Sequence, residues 1–308
     1  MLFNSIEFAI FFPIVFFIYW FILQNNLKWQ NVFLLIVSYI FYGWWDWRCL
    51  SLIFLSSVID FLIGLLLGKT ENPKQRKRIL LISLIFNIGL LSYFKYFNFF
   101  IESLITAFST IGIQLNYFPL NIILPAGISF YTFQSLSYTI DIYFKKIEPT
   151  KDPVLYFTFV SFFPQLVAGP IERARDLIPQ LNKKRFFVYE NAKDGMRQIL
   201  WGLFIKIVIA DNLAPHVNEI FENYNIQKGS TLVLGAIYNS VQFYADFAGY
   251  SYIAIGIAKL LGVSLTRNFA YPFFSKNTRE LWRRWHITFN TWVRDYIYYP
   301  LLNSQTNK

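Results

Sequence analysis

The 308 residues contain one cysteine, Cys49, which excludes an intrachain disulfide and a multi-cysteine metal site among them. Beside an apolar run, it reads as a small packed side chain. Charge is scarce as well. Asp, Glu, Lys and Arg make up 15% of the chain, against about 25% in soluble globular proteins, and that excludes an ordinary soluble domain. There is no metal-ligand cluster and no elbow-type serine. Tandem repeats and low-complexity tracts are also missing. The opening run 5–23 lacks a basic leading region and a small-residue cleavage site, so it is not a cleavable secretory signal.

What the chain has instead is apolar and aromatic. Hydrophobic residues reach 55%, and 35 Phe, 20 Tyr and 9 Trp bring the aromatic share to 21%, as expected where rings pack between helices and form interfacial belts. An integral membrane protein follows, all-α because lipid leaves backbone groups no partner outside their own helix. A crossing takes about 20 apolar residues. Suitable stretches are 5–23, 31–45, 50–68, 79–98, 122–144, 198–214 and 231–262, the last long enough for two segments with a break near Gly249. The expected architecture is a polytopic bundle of about eight or nine membrane segments forming one domain over 1–308. The periodicity of 95–113 does not decide between crossing and lying along the outer surface. The segment 154–170 is short and broken by Pro164, Gly169 and Pro170, which suits a re-entrant element.

The net charge of +10 falls mainly between the apolar runs, where it orients the protein and meets anionic lipid instead of nucleic acid. Lys69, Lys74, Arg76, Lys77 and Arg78 make one basic loop; Arg173, Arg175, Lys183, Lys184, Arg185, Lys193 and Arg197 lie in another. Both are assigned to the cytoplasm. The uncharged 111–121 and the weakly charged 215–230, with His216, are assigned outside, as is the N-terminus. Lys145, Lys146 and Lys151 put 145–153 inside, so 154–170 must enter and leave by one face.

Polar side chains at membrane depth cost a few kcal/mol unless paired or facing a wet cavity. Gln134, Asp141, Gln165, Lys206, Gln242 and Asp246 are such residues, flanked by small or helix-breaking ones such as Ala126-Gly127 and Ala248-Gly249. They fit either an internal passage or hydrogen-bonded ties between helices. A denser constellation spans 268–300. Asn277 and Glu280 form a capping-box pattern that predicts a helix from Thr278. Along it, Trp282, His286, Phe289 or Asn290, Val293 and Ile297 share one face, with Arg283, Arg284, Arg294 and Asp295 beside or opposite. An imidazole there can exchange a proton near neutral pH, and the arginines can reach phosphates. An interfacial amphipathic helix with a merely packed histidine stays open on residue types alone.

Four ordered blocks carry a resemblance: Leu124-Pro125-Ala126-Gly127 with Gln134, Phe163-Pro164-Gln165 with Ala168-Gly169-Pro170, Asp246-Phe247-Ala248-Gly249-Tyr250-Ser251, and the stretch 268–300 with Trp285-His286 and Arg294-Asp295-Tyr296. Together they resemble the membrane-bound O-acyltransferase (MBOAT) family, in the branch that acetylates alginate, with the D-alanyl transfer protein of teichoic acid modification as a relative. The resemblance implies a bacterial inner-membrane enzyme with His286 as catalytic base. Gln134, Gln165, Gln242, Asp246, Trp282, Arg283, Arg284, Asn290, Arg294 and Asp295 would line its tunnel. It implies no bound cofactor and no metal. The donor would be acyl-CoA or another acyl thioester, and the acceptor an extracytoplasmic polysaccharide or a relay protein of its machinery. The family continues through further helices with a second histidine, which this sequence is expected to lack. Tyr252 stands where relatives carry an acid, and Leu301-Leu302 replace a glycine pair. An inactive scaffold of the same family is the alternative. A transporter would need pseudo-symmetric halves, and none is evident.

Overall fold

The computed structural model describes residues 1–114 and 124–306, with the side chains of 303–306 left aside. The described residues are helical and loop, without a strand. In order the helices are α1 (Ile6–Phe17, continued by a π turn to Ile22), α2 (Leu27–Gly43), α3 (Cys49–Lys69), α4 (Pro73–Thr110) and α5 (Ile128–Tyr143). There follow α6 (Pro153–Ser161), α7 (Phe163–Leu166), α8 (Ala174–Leu181), α9 (Tyr189–Leu203), α10 (Asp211–Glu222), α11 (Gly229–Leu260), α12 (Thr278–Arg284), α13 (Ile287–Val293) and α14 (Tyr299–Thr306). Local sequence sets many starts. Ser5, Asn26, Asn72 and Asp152 each accept a backbone N–H of the first turn, and proline follows at Pro73 and Pro153.

Three helical stretches are long and apolar enough to cross a membrane: Cys49–Lys69, Pro73–Thr110 and Tyr189–Glu222, while Ile6–Ile22 is a shorter apolar helix. The 95–113 region, which periodicity leaves undecided, continues α4 up to Thr110. Several expectations need correction. The break near Gly249 is absent. α11 is continuous, and Gly249 serves close packing instead. His216 lies inside α10 and not in an outer loop, since Pro215 is accommodated within the helix. The uncharged 111–121 loop falls largely outside the described residues.

α5 is the central element, buried along almost its whole length and packed against α3, α4, α6 and α8. Polar ties hold it there. Asp60 of α3 accepts from Ser83 Oγ at 2.6 Å and from Asn87 Nδ2 at 2.7 Å, both on α4, and Ser83 meets Thr139 of α5 at 3.1 Å. Buried Arg76 donates to Leu67 and Thr70 O at the end of α3 and to Ile142 and Tyr143 O at the end of α5. A cation there satisfies the carbonyls that two helix ends leave unpaired. Tyr19 Oη and Trp20 Nε1 do the same at the end of α11, donating to Leu261 O and Leu260 O.

α9 and α11 pack antiparallel with backbones in contact. A Cβ on Gly195 would sit 2.8 Å from Gly256 O, and one on Gly256 2.6 Å from Gly195 O. Seven residues along, Gly202 and Gly249 repeat the arrangement at 2.7 and 2.9 Å. Small residues at such crossings permit the close approach that membrane helices use in place of hydrophobic drive. Gly256→Val should therefore cost about 1–3 kcal/mol by overpacking. Thermal unfolding in detergent should show a clear drop in midpoint, while Gly89→Ala, with nothing within 4 Å, leaves it near the parent.

Candidate active site around His286

The single amphipathic helix expected from Thr278 through Ile297 does not form. Its start holds: Asn277 Oδ1 accepts from Glu280 N at 2.9 Å, although Glu280 reaches back to Lys276 N and not to Asn277 N. The helix then stops at Arg284, Trp285 turns extended, and His286 takes a left-handed conformation with φ 42° and ψ 55°. For a non-glycine residue this costs of order 1–3 kcal/mol and persists only where surroundings enforce it. Here they do. Asn268–Ala270 runs alongside the break, with Ala270 N donating to Arg284 O at 2.9 Å and Ile287 N donating to Asn268 O at 2.8 Å. Asn290 Nδ2 donates to Trp282 O at 2.7 Å and Trp285 O at 2.5 Å, satisfying carbonyls near the end of α12.

The side chain of Asn268, fully buried, is the hub. Its Oδ1 lies 2.9 Å from His286 Nδ1, 3.0 Å from Thr288 Oγ and 3.4 Å from Thr288 N. The backbone N–H of Thr288 can only donate, so the facing amide atom is an oxygen. Ile171 N donates to Thr288 Oγ at 3.1 Å, which leaves the hydroxyl proton for Asn268. His286 Nδ1 must then carry the hydrogen, and Nε2 keeps its lone pair. This is the tautomer a general base requires.

Aromatic rings surround the imidazole. Phe247 meets it edge-on at 4.8 Å, Phe289 lies at 5.3 Å, and Phe130 and Phe269 both lie at 6.4 Å. Burial among them pushes the His286 pKa down to about 4, against a small upward pull from its own backbone. The ring is therefore neutral at physiological pH.

Among the described residues two cavities approach the site, and His286 lines neither. One of about 200 Å³ contains Arg173, Arg175, Arg294, Asp295 and Thr288. Within it Arg173 Nη1 pairs with Asp295 Oδ2 at 2.7 Å, and Arg294 Nε with Asp295 Oδ1 at 2.8 Å. Glu172 also lines it; burial raises its pKa to about 7, against hydrogen bonds from Thr266. The other, of about 150 Å³, is lined by Lys95, residues 124–129 and Phe130. Thr288 stands between the imidazole and the first cavity, Phe130 between it and the second.

The remaining sequence-selected residues scatter. Gln134 is buried in α5, and Gln165 Nε2 of α7 donates to Phe159 O of α6 at 2.9 Å. Asp246 is claimed by Lys206 at 2.6 Å, which also holds Asp211 at 2.7 Å. Gln242 is partly buried on α11. Trp282 and Arg283 are exposed, and Arg284 pairs with Glu280 at 2.5 Å. Asp141 accepts from Tyr296 Oη at 2.8 Å. Sequence reasoning missed Asn268, Thr288, Glu172 and Arg173 as site residues. Asn268 lies 18 residues from His286, beyond any helical spacing.

Helices long and apolar enough for a membrane, with one neutral imidazole caged in rings, define a membrane protein with a histidine buried at its candidate site. The chain belongs to the membrane-bound O-acyltransferase family, whose model matches residues 40–308. It is 37% identical over 310 residues to a probable alginate O-acetylase AlgI of Pseudomonas syringae pv. tomato, covering all of this chain and 59% of the relative. Against a peptidoglycan O-acetyltransferase of Helicobacter pylori it is 33% identical, covering 98% of this chain and 62% of that one. A teichoic acid D-alanyltransferase of Bacillus subtilis is 29% identical over 196 residues, 62% of this chain and 49% of that one. The chain thus spans about three-fifths of the length of the first two relatives.

Asn268→Leu should leave the Thr288 hydroxyl proton, the Thr288 backbone N–H and the His286 Nδ1–H without their acceptor. It should lower stability by about 1–3 kcal/mol, read as an earlier thermal midpoint, with Thr288→Ser close to the parent.

Proposed function

We propose that this chain is the catalytic part of a bacterial inner-membrane O-acyltransferase, moving an acyl group, in the first instance acetyl, to a hydroxyl of an extracytoplasmic polymer or of a relay protein serving it. The observation that carries the reading is the Nδ1–H tautomer of His286, held by Asn268, with no hydrogen-bond partner for Nε2 among the described residues. The names of the three relatives, each a transferase acting on a cell-surface polymer, support the acceptor class.

In the proposed reaction Nε2 removes the acceptor hydroxyl proton as that oxygen attacks the thioester carbonyl. The tetrahedral intermediate collapses, the C–S bond breaks, and the thiolate leaves toward the arginine-rich cavity, taking the proton back from the imidazolium. Arg173, Arg175 and Arg294 lie on the side assigned to the cytoplasm, where a phosphate-bearing donor such as acyl-CoA would arrive. The Lys95–Phe130 cavity lies toward the start of α5, on the side assigned outside, where the acceptor would enter. In the same reading α6 and α7, broken at Phe162, form the re-entrant element.

Membranes carrying the protein should transfer label from acetyl-CoA to polymer acceptor, and His286→Ala should reduce the rate about 10²–10⁴-fold. Equal rates in parent and variant remove the proposed role. Because burial lowers the imidazole pKa to about 4, the base stays unprotonated well below the usual histidine value, and acid loss of rate should appear only as pH nears that figure. An inflection near pH 6.5, the ordinary histidine value, contradicts this site as the base. Arg294→Ala should raise KM for the donor roughly tenfold or more, as loss of a charged hydrogen bond predicts, with a smaller effect on kcat.

A further inference from the structure

A second site lies on the far side of the Phe269–Trp285 ring pair from His286, along the α9–α11 seam, and it plays no part in the reaction proposed above. One cavity, about 480 Å³, is lined by Arg197, Lys259, Arg267 and Asp194, with Trp201, Tyr252 and Tyr271. Another, about 330 Å³, is lined by Ile205, Ile209, Val241, Tyr244 and Ala245, and by the same Trp201, Tyr252 and Tyr271. Three shared residues make these one continuous groove with two chemistries.

Its polarity follows the helix register. Asp194 and Lys259 pair at one end, Gly202 and Gly249 cross in the middle, and Lys206 meets Asp246 further on. The basic end therefore sits at the start of α9, in the positive loop region assigned to the cytoplasm. The apolar end rises from Arg197 toward Ile209, a helical distance of about 18 Å at about 1.5 Å per residue. Three cations face one acid at the basic end; Arg197 and Arg267 are exposed, and Asp194 already occupies Lys259. Above them Trp201, Tyr271 and Phe273 are large, exposed rings of the kind that sit at a membrane interface.

We infer that this groove binds an anionic phospholipid of the cytoplasmic leaflet, its phosphate between Arg197 and Arg267 and one acyl chain along Trp201, Ile205 and Ile209. Guanidinium groups match a phosphate with paired donors, and an aqueous anion has no use for the apolar half. A soluble polymer or a zwitterionic lipid lacks one of the two required parts.

The test is native mass spectrometry of the purified chain with equimolar phosphatidylglycerol and phosphatidylcholine of identical acyl chains. The parent should retain the anionic lipid preferentially, by roughly tenfold if two or more cations contribute as basic residues near membranes do. Raising salt should shrink that preference. Arg197→Gln, Lys259→Gln and Arg267→Gln together should equalise the two lipids. Val241→Trp, which fills the apolar half, should release both. Equal retention by the parent overturns the inference without need of any variant. So does a preference that survives the triple substitution, or full displacement of the lipid by glycerol phosphate alone, which would mark a simple anion site. Photo-crosslinking from residue 205 that captures polypeptide in place of lipid would overturn it too. Acyl transfer is not measured in any arm, so failure here leaves the His286 reading untouched.

Discussion

One amide oxygen holds the site together. Asn268 Oδ1 receives the His286 ring, the Thr288 hydroxyl and the Thr288 backbone N–H, while its backbone carbonyl receives Ile287 N. These bonds stabilise a backbone that L-residues avoid, and the same bonds fix which imidazole nitrogen carries the proton. Structure and chemistry thus share a single constraint. A helix running straight through 286 would keep its hydrogen-bond ladder, but it would leave the ring orientation to rotamer preference. The break instead converts strain into a defined tautomer, a common reason for unusual backbone at functional positions.

The surroundings make that tautomer useful. Phe247, Phe289, Phe130 and Phe269 pack around the imidazole, and burial among them keeps it neutral. A cationic ring could not accept a proton, so burial sets the protonation state as Asn268 sets the tautomer. Cavities approach from two sides, one rich in arginine and one lined by the start of α5. In the proposed reaction, a neutral imidazole between them would serve substrates that arrive from different faces.

Around this site the bundle solves a problem set by lipid, where unpaired backbone groups have no water to turn to. Arg76, Tyr19 and Trp20 take up helix-end carbonyls, and Asp60 is satisfied by Ser83 and Asn87. Several polar residues at apparent membrane depth are of this kind. Lys206, on the helical stretch that continues α9, pairs with Asp246 of α11 and ties the two helices together. The reciprocal glycines of the α9–α11 seam bring the two backbones close enough for the pair to form.

The amino-acid sequence by itself determined the all-helical class, most helix starts, and the family, because these rest on local composition, capping residues and contiguous blocks. Asn72-Pro73 and Asp152-Pro153 need no distant partner to begin a helix. His286 was legible for the same reason, as an ionisable group amid Trp and Arg. The tertiary structure alone decided that α12 ends at Arg284, that α11 passes Gly249 unbroken, and that Asn268 and not a neighbour on its own helix orients His286. Helical periodicity ranks residues by position on one cylinder. It carries no information about a hydrogen bond that reaches across 18 residues of chain to bend the cylinder in two.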